Sequence, residues 1–409
     1  MTIGTSEFFN FINQNLHSDP FKLSLSAKKD NFPFDFDFAI LQIECRKKCS
    51  DKLSDFLDFP EFLFPDRLSA EQASHQAVAK YHDSLISPGS SVLDMTAGLG
   101  IDSLTFALNG KSVTSIELNS EKAKTLQNNI LTLGLSTIKA IESDSIEFLK
   151  NQESRFDVIF IDPSRRDSEK NRVYNFHDCS PDIITNLDLI LSGANKVLIK
   201  ASPLLDVTQT IKDLKKVKSI RAVGVKGECK ELLIELSNEI KDNEEPILLE
   251  AIDLNTEGTV LSSFSDFFTL ETRHSIQSDN IIDKTYDPIK TADLIGKYLL
   301  EPSAMIMKFS PWDTIARRFQ ATKLGKSSHL FVSETLPQYF PGRVTKIEKV
   351  ITNKDRKSLK GFPASVVSRN YPLSSETIRK EYGLKESDQN FIYATRIGDK
   401  PIMLLTNKI

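Results

Sequence analysis

The feature that most constrains the fold is a regular alternation of short apolar strands and helices that begins near residue 90. The strand segments are SSVLDMTAG, SVTSIELN, TIKAIESD, FDVIFIDP, NKVLIKAS, KSIRAVGVKG and CKELLIELS. Helical patterns follow the first, second, fourth and fifth of them, and a glycine-containing turn joins the last two into a hairpin. The pattern predicts an α/β fold, a doubly wound and mostly parallel sheet with helices on both faces. The hairpin adds one antiparallel strand at or near its edge.

The segments that flank this alternation have a different character. An N-terminal region rich in Phe and Leu predicts helices, one of them over LSAEQASHQAVAKYHDSLI with Ser69 as N-cap and Gln72 completing a capping box. The charged stretch NEIKDNEEP marks a boundary near residue 240. A β-rich connecting segment follows it, and then two smaller α+β segments. The predicted units are 1–85, 86–240, 241–285, 286–334 and 335–409.

Composition and charge limit the class of protein. At 409 residues with 40% hydrophobic and 26% charged residues, the chain predicts several globular domains, and no apolar run approaches the ~20 residues of a membrane span. The N-terminus lacks the pattern of a secretion signal, and four cysteines without a CxxC pair predict no disulfide framework, so we expect a cytoplasmic protein. Residues 301–409 carry 19 Lys+Arg and 10 Asp+Glu, although the whole chain has a net charge of −4. This basic end predicts contact with a polyanion, but a solvated basic face explains it equally well.

Acidic residues at the ends of the first three strands predict a cofactor site. Asp94 ends the first strand, and a GLG turn then leads directly into a helix, where a nucleotide-like ligand can bind. A carboxylate at Asp94 repels a dinucleotide pyrophosphate but suits a ligand with an ammonium and a sulfonium group. Glu117 can accept from ribose hydroxyls and Asp144 from an adenine amine. Each acid alone is explained by a helix cap or a solvated loop, but the set favours S-adenosylmethionine over NAD. The predicted cofactor-binding residues are Asp94, Thr96, Ala97, Gly98, Gly100, Glu117, Asp144 and Asp162.

The fourth strand, FDVIFIDPSRRD, ends in Asp162-Pro163. Methyltransferases that modify exocyclic amines carry at this place an Asp, Asn or Ser followed by two prolines and an aromatic residue. The side chain there accepts a hydrogen bond from the amine and orients its lone pair. Here Ser164 and Arg165 replace the second proline and the aromatic residue, so the target atom stays open. The predicted catalytic residues are Asp162, Pro163, Ser164 and Arg165.

Several of the quoted segments together resemble a known family. They are LSAEQASHQAVAKYH, LDMTAGLGIDSL, IDPSRRD, IKASPLLD, GECKELL and the YLLEPSAMIMKFSPWDTIARRFQATKLGKSSHLFVSE stretch. They are similar to class I S-adenosylmethionine-dependent methyltransferases of Bacteroidetes-type bacteria that carry a ferredoxin-like segment and a C-terminal THUMP-like domain. The resemblance implies a Rossmann-like sheet, a ferredoxin-like segment at 286–334 and a THUMP-like domain at 335–409. It also implies methylation of RNA, tRNA or rRNA, because THUMP domains elsewhere bind RNA.

Basic residues in two places predict contacts to the RNA. Arginine binds phosphate with two parallel hydrogen bonds, so Arg165 and Arg166 can hold a substrate phosphate, although pairing with Asp167 explains them structurally. Basic residues beside Phe319, Phe362 and Tyr371 fit phosphate contact with occasional base stacking, unless these rings belong to the core. The predicted substrate-binding residues are Arg165, Arg166, Lys200, Arg317 and Arg318. Further basic positions are Lys323, Lys326, Lys354, Arg356, Lys357 and Lys360.

Other chemistries are less well supported by the sequence. The six histidines show no metal-ligand spacing, so we expect no metal; His75 and His82 are predicted on one helical face. Cysteine-dependent carbon methylation requires a reactive thiolate, and the cysteines are better explained as inert. Lys200, Ser202 and Asp206 can edge the substrate pocket, although Asp206 is equally well placed as a helix cap. A small-molecule methyltransferase and a non-catalytic RNA-binding or assembly factor remain as alternative functions.

Overall fold

The structure is a computed structural model that describes residues 5–26, 32–165, 176, 179–240, 245–269, 291–325, 327–398 and 400–409. The α-helices are α1 Ser6–Gln14, α2 Pro20–Ser26, α3 Phe36–Cys49, α4 Ser54–Leu57, α5 Arg67–Gln72, α6 Gln76–Ser84, α7 Ile101–Leu108, α8 Ser120–Thr132, α9 Ser145–Lys150, α10 Leu187–Gly193, α11 Val207–Asp213, α12 Trp312–Arg318 and α13 Ser375–Tyr382. Short 3₁₀ helices span Thr291–Leu294, Ile306–Lys308 and Asn353–Asp355.

The strands are β1 Ser91–Asp94, β2 Ser112–Glu117, β3 Ile138–Glu142, β4 Phe156–Ile161, β5 Ser164–Arg165, β6 Cys179–Ser180, β7 Ala194–Ala201, β8 Val217–Val225, β9 Glu228–Ser237, β10 Ile247–Leu254, β11 Val260–Phe268, β12 Tyr298–Pro302, β13 Ala321–Lys323, β14 Phe331–Ser333, β15 Gly342–Ile351, β16 Ser365–Ser368, β17 Asn390–Ile397 and β18 Lys400–Lys408. Contacts between residues divide the chain into two compact units. The first comprises Met1–Ile247 and Ile252–Leu261, and the second comprises Leu248–Ala251 and Ser262–Ile409.

A nine-stranded sheet has the order β11-β10-β8-β9-β7-β4-β1-β2-β3. Strands β3, β2, β1, β4 and β7 pair in parallel, so their carboxyl ends share one edge of the sheet. Strand β9 lies between β7 and β8 and is antiparallel to both. The prediction of a mostly parallel α/β sheet is confirmed. The antiparallel strand lies inside the sheet, because β8 and then β10 and β11 continue beyond it.

The core of the first unit forms because the central strands are apolar on both faces. Strand β4 is buried over its last four residues, and Phe160 packs edge-to-face on Phe106 of α7 with ring centroids 5.5 Å apart. Helix α3 begins at Asp35, whose carboxylate accepts from the Phe38 N–H. This helix contributes Ile43 to a separate aromatic-rich core with Phe8 of α1. Buried apolar faces of this kind are the main stabilising contribution to such a fold.

The predicted helix over LSAEQASHQAVAKYHDSLI is two helices, α5 and α6. Ser69 is not the N-cap of the first; Asp66 is, and its carboxylate accepts from the Ser69 N–H at 2.6 Å. The second helix is capped by His75, whose Nδ1 accepts from the Ala77 N–H at 3.1 Å. The chain breaks between them at Ala73, which has an extended ψ of 143°. Side chains at these turns compete with the helical hydrogen bonds, and periodicity alone does not reveal that competition.

The second unit contains a seven-stranded sheet with the order β13-β14-β12-β15-β18-β17-β16. Most neighbouring strands in it are antiparallel, and β16 pairs with β17 in parallel. Side chains such as Leu299, Val332 and Tyr393 form its buried core. Across the described residues, no helix is both long and apolar enough to cross a membrane.

Candidate active site

A cavity of about 460 Å³ lies at the carboxyl ends of the parallel strands of the first unit. This volume is within the usual range for cofactor pockets. Its lining comes from the turn after β1, from the ends of β2 and β4, and from the break between α5 and α6. All predicted cofactor-binding residues line it, namely Asp94, Thr96, Ala97, Gly98, Gly100, Glu117, Asp144 and Asp162. Because parallel strands bring their ends together, acids that are far apart in the sequence share one cavity.

The turn between β1 and α7 requires glycine at two positions. Gly98 and Gly100 have φ values of 56° and 85°, in the left-handed region that other residues rarely adopt. At Gly98 a Cβ would meet no atom within 4 Å, so a ligand can approach its backbone from the cavity. At Gly100 a Cβ would lie 2.3 Å from Cδ1 of Leu126. Gly98 therefore keeps the cavity open, and Gly100 permits close packing of α8.

Asp94 lies at the floor of the cavity and is almost completely buried. One carboxylate oxygen accepts from the Thr96 N–H at 3.0 Å, and the other accepts from the Ser103 hydroxyl at 2.6 Å. Burial, together with the nearby carboxylates of Asp102 and Asp162, raises the pKa of Asp94 to about 7, although the two hydrogen bonds act to lower this pKa. A cation placed above Asp94 would therefore favour its ionised form.

Glu117 and Asp144 are held at the rim of the cavity by backbone amides. Glu117 accepts from the Gly98 N–H and the Asn119 N–H, both at 2.8 Å. Asp144 is the N-cap of α9, and its Oδ1 accepts from two amides of the first turn at 2.9 Å. Asp144 is thus a helix cap, the explanation that the sequence offers for each acid alone, and it also lines the cavity.

Asp162 is fixed from two sides. Its backbone N–H donates to the Thr96 hydroxyl at 2.6 Å. Its Oδ2 accepts from the Lys200 ammonium, also at 2.6 Å, while 39% of its side chain remains exposed. Lys200 was predicted to bind substrate. In the structure its ammonium contacts Asp162 and donates to the Ser74 hydroxyl at 2.9 Å.

Behind Asp162 lies a network that sequence reasoning missed. The His82 imidazole is fully buried, with Nδ1 2.8 Å from Asp102 and Nε2 2.5 Å from Glu231. Ser74 donates to the other oxygen of Asp102 at 2.5 Å. Burial alone would lower the pKa of His82, but the charges of Glu231 and Asp102 and their hydrogen bonds raise it to about 10. We call Asp94, Asp102, Asp162 and Glu231 with His82 and Lys200 the acid cluster.

His82, Asp102 and Glu231 lie in segments that the sequence analysis quotes, but their spacing in the sequence did not indicate that they contact one another. His82 was predicted to share a helical face with His75, and His75 instead precedes α6 as its cap. Asp102 lies in the first turn of α7, where an acid normally serves the helix dipole. Glu231 lies on a buried strand, and a buried acid without a nearby partner in sequence was the available signal.

The remaining predicted residues lie elsewhere or are not fully described. Ser164 lines the cavity, where β5 pairs with β6; Pro163 joins β4 to β5. For Arg165 only the backbone is described, and Arg166, Asp167 and Lys326 lie outside the described residues. Asp206 is a helix cap, accepting from the Gln209 N–H at 2.8 Å. Arg317 and Arg318 belong to the second unit and do not line the cavity.

The aromatic and basic residues of the second unit separate into two groups. Phe319 packs edge-to-face on Phe340, and Phe362 and Tyr371 pack partly buried against a small core. Arg318 lies over Phe264 and donates to the Ser265 carbonyl at 3.1 Å. The cations of the loop after β15 are exposed; they are Lys354, Arg356, Lys357 and Lys360. In the part of the chain that the structure describes, no His, Cys, Asp and Glu side chains are grouped to hold a metal ion.

Family comparisons match three successive segments of the chain. Residues 18–174 match the family described as "Putative SAM-dependent methyltransferase". Residues 298–341 match a ferredoxin-like domain, and residues 342–408 match a THUMP domain-like family. These are the three components that the sequence motifs implied.

Two individual proteins are similar to the chain. A protein from Porphyromonas gingivalis W83, whose crystal structure is described as that of a "putative methyltransferase", is 27% identical, with a TM-score of 0.81 over 98% of this chain and 97% of that one. An uncharacterized RNA methyltransferase of Mycoplasma mobile is 33% identical over 81 residues. That match covers 20% of this chain and 22% of the curated relative, so the chain spans about a fifth of its length.

The donor set of the cavity suits a sulfonium nucleoside: carboxylates surround it, and the glycine turn opens the backbone to a ligand. The three family segments occur in the predicted order, and the likeness to the P. gingivalis protein covers nearly the full length of both chains. The chain is therefore similar to S-adenosylmethionine-dependent methyltransferases over residues 18–174, and to ferredoxin-like and THUMP-like domains over residues 298–341 and 342–408.

Proposed function

We propose that the chain transfers a methyl group from S-adenosylmethionine to RNA in the cytoplasm, with an exocyclic amine of a tRNA or rRNA base as acceptor. The observation that carries the proposal is the convergence of Asp94, Glu117, Asp144 and Asp162 on one cavity. Four carboxylic groups exclude a pyrophosphate by charge and favour a cationic nucleoside. When bound, S-adenosylmethionine supplies an electrophilic methyl group.

Each acid has a distinct role in this proposal. Glu117, held by two amides, accepts from the ribose hydroxyls, and Asp144 accepts from the adenine amine. Asp94 compensates the positive charge of the cofactor at the floor of the cavity. Asp162 accepts from the N–H of the acceptor amine, orients its lone pair, and takes the proton that the amine loses as the new C–N bond forms.

The RNA part of the proposal is supported by the second unit. Its THUMP-like segment, the exposed cations after β15 and the name of the Mycoplasma mobile relative agree in indicating RNA. Clustered Lys and Arg side chains bind the phosphate backbone irrespective of sequence. We propose that residues 86–240 supply the strand-end acids that bind the cofactor, beside the break between α5 and α6. The ferredoxin-like segment 286–334 and the THUMP-like domain 335–409 present the RNA, with Arg317 and Arg318 among the contacts.

Calorimetry tests the cofactor assignment. The wild-type chain is expected to bind S-adenosylmethionine and S-adenosylhomocysteine but not NAD. Glu117→Ala removes hydrogen bonds to a charged acceptor and should weaken S-adenosylmethionine binding about 10- to 100-fold. Glu142→Ala is the matched control, because Glu142 is the exposed register partner of Glu117 on β3 and does not line the cavity. Binding of NAD, or equal effects of the two variants, contradicts the assignment.

Nucleoside mass spectrometry tests the reaction. Total tRNA and rRNA from cells lacking the gene should miss one methylated nucleoside that a wild-type copy restores and an Asp162→Ala copy does not. An unchanged nucleoside profile contradicts RNA as the substrate. Restoration by the Asp162→Ala copy contradicts the role of Asp162.

A further inference from the structure

In the acid cluster, carboxyl groups outnumber cations around Asp162, the residue proposed to accept from the acceptor amine. Asp162 is surrounded by the carboxyl groups of Asp94 on β1, Asp102 on α7 and Glu231 on β9. Like charges and burial both disfavour its ionised form. A protonated Asp162 would accept more weakly from an amine and could not take its proton.

Lys200 is the one cation that contacts Asp162 directly among the described residues. Its Nζ lies 2.6 Å from Oδ2 of Asp162 and 3.9 Å from Glu231, and only 13% of its side chain is exposed. Two hydrogen bonds also fix the orientation of Asp162. Its Oδ2 accepts from the Lys200 ammonium, and its backbone N–H donates to the Thr96 hydroxyl. One carboxylate oxygen is therefore fixed and Oδ1 is left to face an acceptor.

Lys200 is itself held by a chain of partners, of which Ser74 and Asp102 line the cavity and Glu231 and His82 do not. Ser74 accepts from its ammonium and donates to Asp102, and Asp102 and Glu231 share the buried His82. His82 offsets one of the two negative charges of these acids, and Lys200 offsets the charge of Asp162. A buried ammonium without such partners would lose its proton or leave the site.

We propose that Lys200 is a positioning residue for methyl transfer: its ammonium holds Asp162 ionised and fixes its orientation, while His82, Asp102 and Glu231 keep that ammonium in place. The inference rests on the proposed methyl transfer and replaces the earlier assignment of Lys200 to substrate binding. Lys200 acts through Asp162 and does not itself contact the acceptor.

The test compares pH profiles of Lys200→Met and wild-type protein. Transfer of tritiated methyl from S-adenosylmethionine to RNA from cells lacking the gene is measured from pH 5 to pH 9. Removing an opposite charge within about 4 Å should move the acidic limb of the profile upward by at least about one pH unit. On that limb the variant should therefore lose up to about tenfold for each unit of the shift, and the loss should become smaller towards pH 9.

Two further variants separate this role from a purely structural one. Lys196→Met is the matched control, because Lys196 lies on the same strand and its ammonium donates to the Leu85 carbonyl at 2.9 Å, away from Asp162. Lys200→Arg keeps the charge and should keep the acidic limb within about half a unit of wild type. If the methionine variant does not fold, Lys200→Gln gives the same comparison.

A measurement without substrate keeps the two proposals distinguishable. Carboxyl ¹³C NMR of aspartate-labelled protein, with the Asp162 signal assigned by its loss in Asp162→Ala, should show the same upward shift in Lys200→Met. If Lys200→Met and wild type have acidic limbs at the same pH and the same Asp162 titration, the inference is overturned. A shifted Asp162 titration without any methyl transfer by the wild-type chain supports the electrostatic role and overturns the proposed function, and with it the catalytic meaning of Lys200.

Discussion

The acid cluster of the first unit and a second buried carboxylate in the other unit show opposite uses of buried charge. In the seven-stranded sheet, Glu301 on β12 accepts from the Tyr393 hydroxyl at 2.8 Å and pairs with Arg369 at 3.1 Å and Arg343 at 3.3 Å. One acid there meets two cations and a neutral donor. In the acid cluster, four carboxylic groups share two cations beside an open cavity. A complete set of partners indicates a structural group, whereas a deficit of cations beside a cavity indicates a site for a positive ligand.

Among the variants that distinguish the acid cluster from the Glu301 group, His82→Leu is expected to have the largest effect on stability. This change leaves Asp102 and Glu231 buried without the imidazolium between them, with Lys200 still 3.9 Å from Glu231, and should lower the free energy of unfolding by about 3–5 kcal/mol. Urea denaturation at pH 7 measures it. A loss below about 1 kcal/mol would mean that the network is dispensable for the fold.

The same variant has a pH signature. Because the pKa of His82 is raised from 6.5 to about 10 in the folded protein, its charge stabilises the fold fully below pH 6.5, and this contribution disappears as the pH rises towards 10. The difference in unfolding free energy between wild type and His82→Leu should therefore narrow over that range.

An intermediate effect is expected from the pH dependence of cofactor binding. Asp94, with its pKa raised to about 7, is partly protonated at neutral pH and must ionise to pair with a cation. The affinity for S-adenosylmethionine should therefore rise by up to about tenfold from pH 6 to pH 8. Calorimetry in two buffers of different ionisation enthalpy should detect the released proton. Asp94→Asn should bind more weakly and lose the dependence; retention of the dependence would assign it to another group.

The smallest effect is expected from Tyr393→Phe. This change removes one neutral donor from Glu301 while both arginines remain, so the unfolding free energy should fall by only about 1 kcal/mol. Binding of S-adenosylmethionine should not change. A change in cofactor affinity would show that the two charge clusters are coupled and would break the distinction drawn between them.

Much of the first unit was predictable because its signals are local. The apolar runs, the glycine turn and the acids at strand ends depend on neighbouring residues, and repeated strand–helix units fix where parallel strands end. Asp94, Glu117, Asp144 and Asp162 were therefore predicted to converge before any coordinates, and all line one cavity. Their roles in binding and catalysis stay predictions.

The acid cluster was not predictable in the same way, because its contacts are long-range. His82 and Glu231 are 149 positions apart, and Lys200 and Ser74 are 126 apart. Periodicity gave one continuous helix where the chain breaks at Ala73, and that break directs Ser74 to Asp102. The additional edge strands β10 and β11 were recognised as β-rich but not as part of the main sheet.

The break between α5 and α6 has a practical consequence for dissecting the protein. Ser74 and His82 reach the charges behind Asp162 from a region that precedes the first strand of the sheet. A recombinant fragment that starts at residue 86 would retain every strand-end acid, yet it would expose Asp102 and Glu231 to each other with no imidazolium between them. Truncation studies and domain transplants therefore have to include α5 and α6, since the side chains around the cavity do not all come from the sheet and its connections.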